Sequence, residues 1–246
     1  MSQGTVLILG ATSAIARGAA EEFAKRKHPL VLASRDLKEL SRIASDLQIR
    51  YNVPVTTLPF QAENTSSHPA FFDSLFFKEK AIQGAVIAFG DLGGKIDLMN
   101  FADQEKTIRI NFIGAASALS LIAARLAQKK EGFLIGITSV AGDRGRQSNF
   151  IYGSAKGALS IYLDGLRNKL YPEGVHVMTV KPGFVDTAMT FGLPGLFLVA
   201  NPKEVGKKIV RALDKKKNVV YIPGFWKAIM AVIKAVPERI FKRMRL

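Results

Sequence analysis

Thr5-Val6-Leu7-Ile8-Leu9 runs directly into Gly10-Ala11-Thr12-Ser13-Ala14-Ile15-Ala16, and this junction decides the fold. A short apolar run closed by a glycine reads as a strand buried on both faces, the kind found in parallel sheets. The residues that follow, Ala14–Lys25, read as a helix. A tight turn from strand to helix aims backbone N–H groups and the positive helix end at one point, which suits a pyrophosphate. Gly10 supplies that turn where a side chain would obstruct it. A dinucleotide-binding loop prefers glycine at positions 14 and 16 as well, and both are alanine here. Alanine is an accepted variant at position 16, which serves helix–strand packing. Ala14 adds a methyl group near the phosphate path. Taken alone, the loop fits a phosphate cradle and a plain strand-to-helix turn equally well.

Outward from this junction the pattern repeats. Further strands are expected at Leu30–Ala33, Val55–Leu58, Ala85–Ala88, Phe133–Thr138, His176–Val180 and Val219–Tyr221. Helices are expected at Leu37–Ile49, Pro69–Phe77, Asp103–Gln128, Asn149–Leu170 and Pro202–Lys215. Such alternation specifies an α/β fold, a doubly wound parallel sheet of about seven strands with helices on both faces. Connections are brief, so residues 1–222 read as one domain and 223–246 as a C-terminal amphipathic helical extension. Nearly half of the 246 residues are apolar, enough for a core without staples. The absence of cysteine removes disulfides, thiolate metal sites and cysteine nucleophiles, and fits a reducing compartment. His28, His68 and His176 are far apart, so no metal site is expected.

The second strand ends at Ala33-Ser34-Arg35, about 24 residues after Gly10. A site for NAD usually places a carboxylate here, on the adenosine ribose 2′-hydroxyl. Ser34 cannot play that part, whereas the Arg35 guanidinium suits a 2′-phosphate. The preferred cofactor is therefore NADP(H), with Asp36 next door leaving NAD(H) open.

Ser139 closes the fifth strand, and Tyr152 and Lys156 lie four residues apart on one face of the following helix. Strand ends and the adjacent helix converge at the carboxyl edge of a parallel sheet, where ligands bind. Asn111 lies farther upstream in a helical segment, and Lys181-Pro182-Gly183 with Thr187 follows the sixth strand. In this ordered set the chain closely resembles the short-chain dehydrogenase/reductase family, over nearly its whole length. The resemblance implies a Rossmann-type fold and Asn111, Ser139, Tyr152 and Lys156 as catalytic residues. Tyr152 would act as acid–base, Lys156 would lower its pKa and hold the nicotinamide ribose, and Ser139 would polarise a carbonyl. Asn111 would hold a water between the lysine and solvent. Cofactor contacts are implied at Gly10, Thr12, Ser13, Ala14, Ile15, Ser34, Arg35, Ala62, Phe89 and Gly90. Asn111, Tyr152, Lys156, Pro182, Gly183, Val185 and Thr187 complete that set. The fourth strand departs from the family, with Ala88-Phe89-Gly90 where asparagines are usual. A homo-oligomer, dimer or tetramer, paired through the two long helices, is also implied.

Several stretches resemble a branch of the family that reduces keto sugars carried on polyprenyl phosphates in cell-wall polysaccharide biosynthesis. These are Val86–Gly90, Thr65–Pro69, Ser148–Ser154 and Val236–Lys242, the last lying outside the shared motifs. Residues 188–200 diverge from that branch, although Leu193, Leu196, Phe197, Leu198 and Val199 suit an apolar ligand. Another apolar ketone or alcohol, steroid-like or acyl, remains the rival substrate, and a non-catalytic dinucleotide-binding regulator the rival class.

The net charge of +15 is concentrated at the end, where residues 203–246 hold 13 Lys or Arg against Glu204, Asp214 and Glu238. Phe225, Trp226, Ile229, Met230, Val232 and Ile233 form an apolar segment. Beyond Pro237, Arg239, Lys242, Arg243 and Arg245 alternate with Ile240, Phe241 and Met244. A basic amphipathic end of this kind suits an anionic membrane surface better than nucleic acid. With no signal peptide or spanning segment read from the sequence, the expected location is cytoplasmic, peripheral on the inner face of the membrane, through residues 225–246.

Overall fold

Residues 4–94, 96–192 and 195–244 are described in the computed structural model. Strand β1 (Thr5–Leu9) is buried along its whole length, as its unbroken apolar run requires. It lies at the centre of a seven-stranded sheet in the order β3-β2-β1-β4-β5-β6-β7. The others are β2 (Leu30–Ser34), β3 (Val55–Pro59), β4 (Ile82–Ile87), β5 (Gly132–Ile137), β6 (Val175–Pro182) and β7 (Val219–Ile222). All the pairings are parallel. Strand order reverses between β1 and β4, and a doubly wound sheet opens its ligand crevice there. The expected sheet is the observed one, with strand ends shifted by a few residues.

Alternate residues of β1 feed two cores. Val6 and Ile8 face one side, covered by α1 (Ala14–Lys25), α2 (Leu37–Tyr51) and α7 (Pro202–Asp214). Leu7 and Leu9 face the other, under α3 (His68–Lys78), α5 (Ala115–Lys129) and α6 (Phe150–Leu170). Helices α1 and α7 cross at Gly18 and Gly206, where a methyl group on Gly18 would come within 2.6 Å of the Pro202 carbonyl oxygen. Only hydrogen side chains permit so close a crossing.

One expected helix is divided. The Asp103–Gln128 segment forms α4 (Phe101–Ile108), a wider π-helical stretch over Arg109–Gly114, and α5. Asn111 explains the change. Its Nδ2 donates to the Thr107 carbonyl at 2.8 Å, the acceptor its own N–H would take in an α-helix. Helix 101–129 is also long and apolar enough to cross a membrane by length and composition. Half of its most apolar window is buried, against the sheet and its neighbouring helices.

The C-terminal segment forms α8 (Trp226–Ala235) and α9 (Glu238–Phe241). Here the expected membrane face needs correction. Trp226 and Met230 are each 1% exposed and pack with Val140, Phe184 and Tyr221, so they face the protein. Arg144 holds the end of α8, donating to the carbonyls of Ile233 and Val236 at 2.6 Å each. Its guanidinium also pairs with Glu238 at 3.0 Å and lies 3.6 Å from the Phe241 ring centre. Phe225, Val232, Ile240 and Met244 remain exposed. Arg245 lies outside the described residues.

Candidate active site

The carboxyl ends of β1, β2, β4, β5 and β6 open into one cavity of about 1410 Å³. At the β1–β4 switch Gly10 adopts φ +76°, and a side chain there would meet the Phe89 backbone nitrogen at 2.5 Å. The missing side chain therefore lets the first loop pack directly on the chain that leaves β4. Ser13 caps α1, accepting from the Ala16 N–H at 3.2 Å, and Thr12 is hydrogen-bonded to Ser34 at 2.9 Å. These bonds tie the loop to the end of β2. The two alanines differ in effect: Ala16 is fully buried in the core, whereas Ala14 lines the cavity.

Around the end of β2 the charges are sorted. Asp36 caps α2, accepting from the Glu39 N–H at 2.9 Å, and Arg17 pairs with Glu39 at 2.6 Å. Arg35 lines the cavity and has no ion-pair partner among the described residues. The carboxylate that left NAD(H) open is thus engaged by the backbone, and the guanidinium is available.

At the other end, Ser139, Tyr152 and Lys156 meet in the same cavity. Ser139 Oγ accepts from the Ala141 N–H at 3.1 Å, and the Lys156 ammonium lies 5.8 Å from the centre of the tyrosine ring. Burial pushes the Tyr152 pKa up to about 12, opposed by the neighbouring Ser139 hydroxyl. Burial lowers Lys156 to about 8. Its Nζ donates to the Ile137 carbonyl at 3.2 Å. In the protein alone, desolvation therefore outweighs the expected drop in the tyrosine pKa.

Asn111 is fully buried behind Gly90 and does not line the cavity. Its Nδ2 donates to the carbonyls of Asp91 and Thr107, and its Oδ1 accepts from the Asp91 N–H at 3.2 Å. A methyl group on Gly90 would lie 2.9 Å from that Oδ1 and 3.3 Å from Lys156 Nζ, so the glycine separates the two groups. Every other residue expected at the cofactor, including Ala62, Pro182, Gly183, Val185 and Thr187, lines the cavity. Lys181 points elsewhere, pairing with Asp143 at 2.5 Å beside Tyr221.

Sequence reasoning missed Arg146, Ser148, Asn149, Phe184 and Met189, which line the cavity too. No motif carries Arg146, Phe184 or Met189, though Arg146 falls between Ser139 and Tyr152 and the Ser148–Ser154 stretch already held Ser148 and Asn149, both usable signals. Leu196 and Phe197 also line the cavity, and Phe197 packs on Phe184 and Trp226. Leu198 and Val199 are exposed, and Leu193 lies outside the described residues. Val185 bridges to Ala200, closing the loop between them.

Known proteins match this architecture. An uncharacterized oxidoreductase of Mycobacterium tuberculosis is 31% identical over 240 residues, covering 97% of this chain and 96% of its own. Another, from Streptomyces coelicolor, is 32% identical over 244 residues, covering 98% and 95%. A short-chain dehydrogenase from Sphingobium yanoikuyae, solved in complex with NADPH, superposes with a TM-score of 0.84 at 25% identity, covering 99% of this chain and 96% of its own. The family model for short chain dehydrogenases matches residues 4–193, so with this sheet and this cavity the chain belongs to that family of oxidoreductases.

Proposed function

We propose that the protein is an NADPH-dependent reductase of a ketone, with Tyr152 as the proton donor. One observation carries the reading: Ser139, Tyr152 and Lys156 share a single cavity with the Gly10–Ile15 loop and Arg35. The fit to a dinucleotide rests on the loop at the start of α1, where Gly10 at φ +76°, Thr12, Ser13 and Ile15 line the cavity. Gly10, Thr12, Ser13 and Ile15 would hold the pyrophosphate, and Arg35 the 2′-phosphate. NADPH, when bound, supplies the hydride.

With its pKa raised to about 12, Tyr152 is a neutral phenol near pH 7 and has a proton to give to a carbonyl oxygen. The Ser139 hydroxyl donates to the same oxygen and orients it. Once the phenol has released its proton, the Lys156 ammonium stabilises the phenolate. Asn111 Oδ1, the acceptor behind Gly90, is the atom suited to hold a water beside Lys156. Tyr152→Phe tests the reading. Ketone-dependent NADPH oxidation should fall about a thousandfold or more, while NADPH affinity stays near that of the wild type. Residual turnover above about a tenth would remove Tyr152 from the chemistry.

For the substrate, we propose a keto sugar on a polyprenyl phosphate, by resemblance to decaprenylphosphoryl-2-keto-erythro-pentose reductase. The apolar cavity wall of Phe184, Met189, Leu196 and Phe197 supports a lipid-like substrate. Peripheral membrane contact belongs to the same proposal, through Phe225, Val232, Ile240 and Met244 with the adjacent basic residues. A rival steroid-like or acyl ketone would use the same wall. Product analysis with a polyprenyl-phosphate keto sugar separates them, since turnover of simple ketones alone would reject the sugar. We further propose a dimer or tetramer, supported by exposed Phe101, Ile113 and Ile161 on the long helices.

A further inference from the structure

Arg146 occupies the connection between Asp143 and α6 and lines the catalytic cavity. Its Nε is buried without a hydrogen-bond partner, and among the described residues no carboxylate lies within ion-pair distance of it. The nearest acids are engaged elsewhere. Asp143 holds Lys181 at 2.5 Å and accepts from Tyr221 at 2.7 Å, and Glu238 holds Arg144 at 3.0 Å. Asn149, in the same wall, also has a buried side-chain oxygen without a partner. A second, smaller cleft of about 180 Å³ is lined by Arg146, Gln147, Glu238, Phe241, Lys242 and Met244. Arg146 therefore stands in the wall shared by the catalytic cavity and a cleft against the C-terminal helices.

Partly desolvating a guanidinium without a partner is costly, and an arriving anion relieves that cost. A phosphate ester matches the planar fork of an arginine with two hydrogen bonds. Lys242 adds a second cation beside the cleft, and Phe241 and Met244 give it an apolar lining. We infer that Arg146 is the specificity residue for a phosphate ester on the substrate, whose apolar chain leaves along Phe241 and Met244. Glu238 lies in the same cleft, and its pairing with Arg144 leaves Arg146 as the anion's partner. The inference rests on the reductase reading for its cavity, but its test does not require turnover.

Protein saturated with NADP⁺ is titrated calorimetrically with citronellyl phosphate, citronellol and inorganic phosphate, each below aggregation. Saturation keeps the 2′-phosphate site filled. The wild type should bind citronellyl phosphate about ten- to a hundredfold more tightly than citronellol, and more tightly than inorganic phosphate. The last comparison separates an alkyl phosphate from the free ion. Arg146→Met should erase the preference over citronellol, Arg146→Lys should restore part of it, and Tyr152→Phe should leave it intact. Thermal melts of both Arg146 variants verify that they fold. No preference in the wild type, an unchanged preference in Arg146→Met, or equal losses in the Met and Lys variants would overturn the inference. Failure of the Tyr152→Phe turnover test would instead strike the reductase reading.

Discussion

Arg35 and Lys156 show how a single charge is set by what surrounds it. Arg17 and Asp36 flank the same corner, yet one is held by Glu39 and the other caps α2, whereas Arg35, proposed to meet a 2′-phosphate, has no ion-pair partner among the described residues. Arg35→Ala should weaken NADPH binding by about ten- to a hundredfold and leave NADH unchanged; equal losses in fluorescence titrations would remove the case for phosphate recognition. Lys156 carries the opposite burden, because burial lowers its pKa to about 8. Below that value the folded protein holds a desolvated ammonium, at a cost in stability. Between about 8 and the unfolded value near 10.5, the unfolded chain binds more protons than the folded one, so stability rises with pH. Lys156→Met should therefore raise Tm at pH 7 by on the order of 3 °C, with the gain shrinking toward pH 10 and activity lost. A lower Tm at pH 7 would show that the ammonium is stabilising where it sits.

Between single residues and the sheet, two elements are shaped by side chains reaching across the chain. Asn111 takes a carbonyl from its own helix and two backbone groups of Asp91, which widens the helix and fixes the loop after β4. Its residue type and position were visible in the sequence; the widened turn was not, because periodicity cannot register one diverted hydrogen bond. Arg144 does the same for the C-terminal helices, bonding carbonyls at the end of α8, where a helix leaves acceptors unsatisfied. The same stretch of chain carries Ser139, so α8 and α9 are fastened next to the candidate active site. Arg144→Met should cost about 2 kcal/mol in urea unfolding and speed amide exchange across residues 226–241 before the rest of the chain. Exchange that stays uniform would mean Trp226 and Met230 suffice to hold the segment.

Over the whole molecule, basic charge is concentrated at the C-terminal end, whereas exposed apolar side chains are spread along the chain and Trp226 and Met230 of the tail turn inward. Contact with an anionic bilayer would fall to Phe225, Val232, Ile240 and Met244, backed by Lys227, Lys234, Arg239, Lys242 and Arg243. Replacing Arg239, Lys242 and Arg243 with Gln should weaken binding to phosphatidylserine vesicles by about a hundredfold, at roughly 1 kcal/mol per charge. Binding that ignores both the substitutions and added salt would exclude this surface. The amino-acid order by itself determined the seven strands, the helices between them and the Ser139, Tyr152 and Lys156 set, because these are local signals of fixed period and spacing. Only the tertiary structure decided that Asp36 is engaged, that Trp226 belongs to a core and that Arg146, without an ion-pair partner among the described residues, stands in the wall of the cavity that holds Tyr152. Those outcomes depend on which partners arrive from distant parts of the chain, and no local pattern encodes the competition among them.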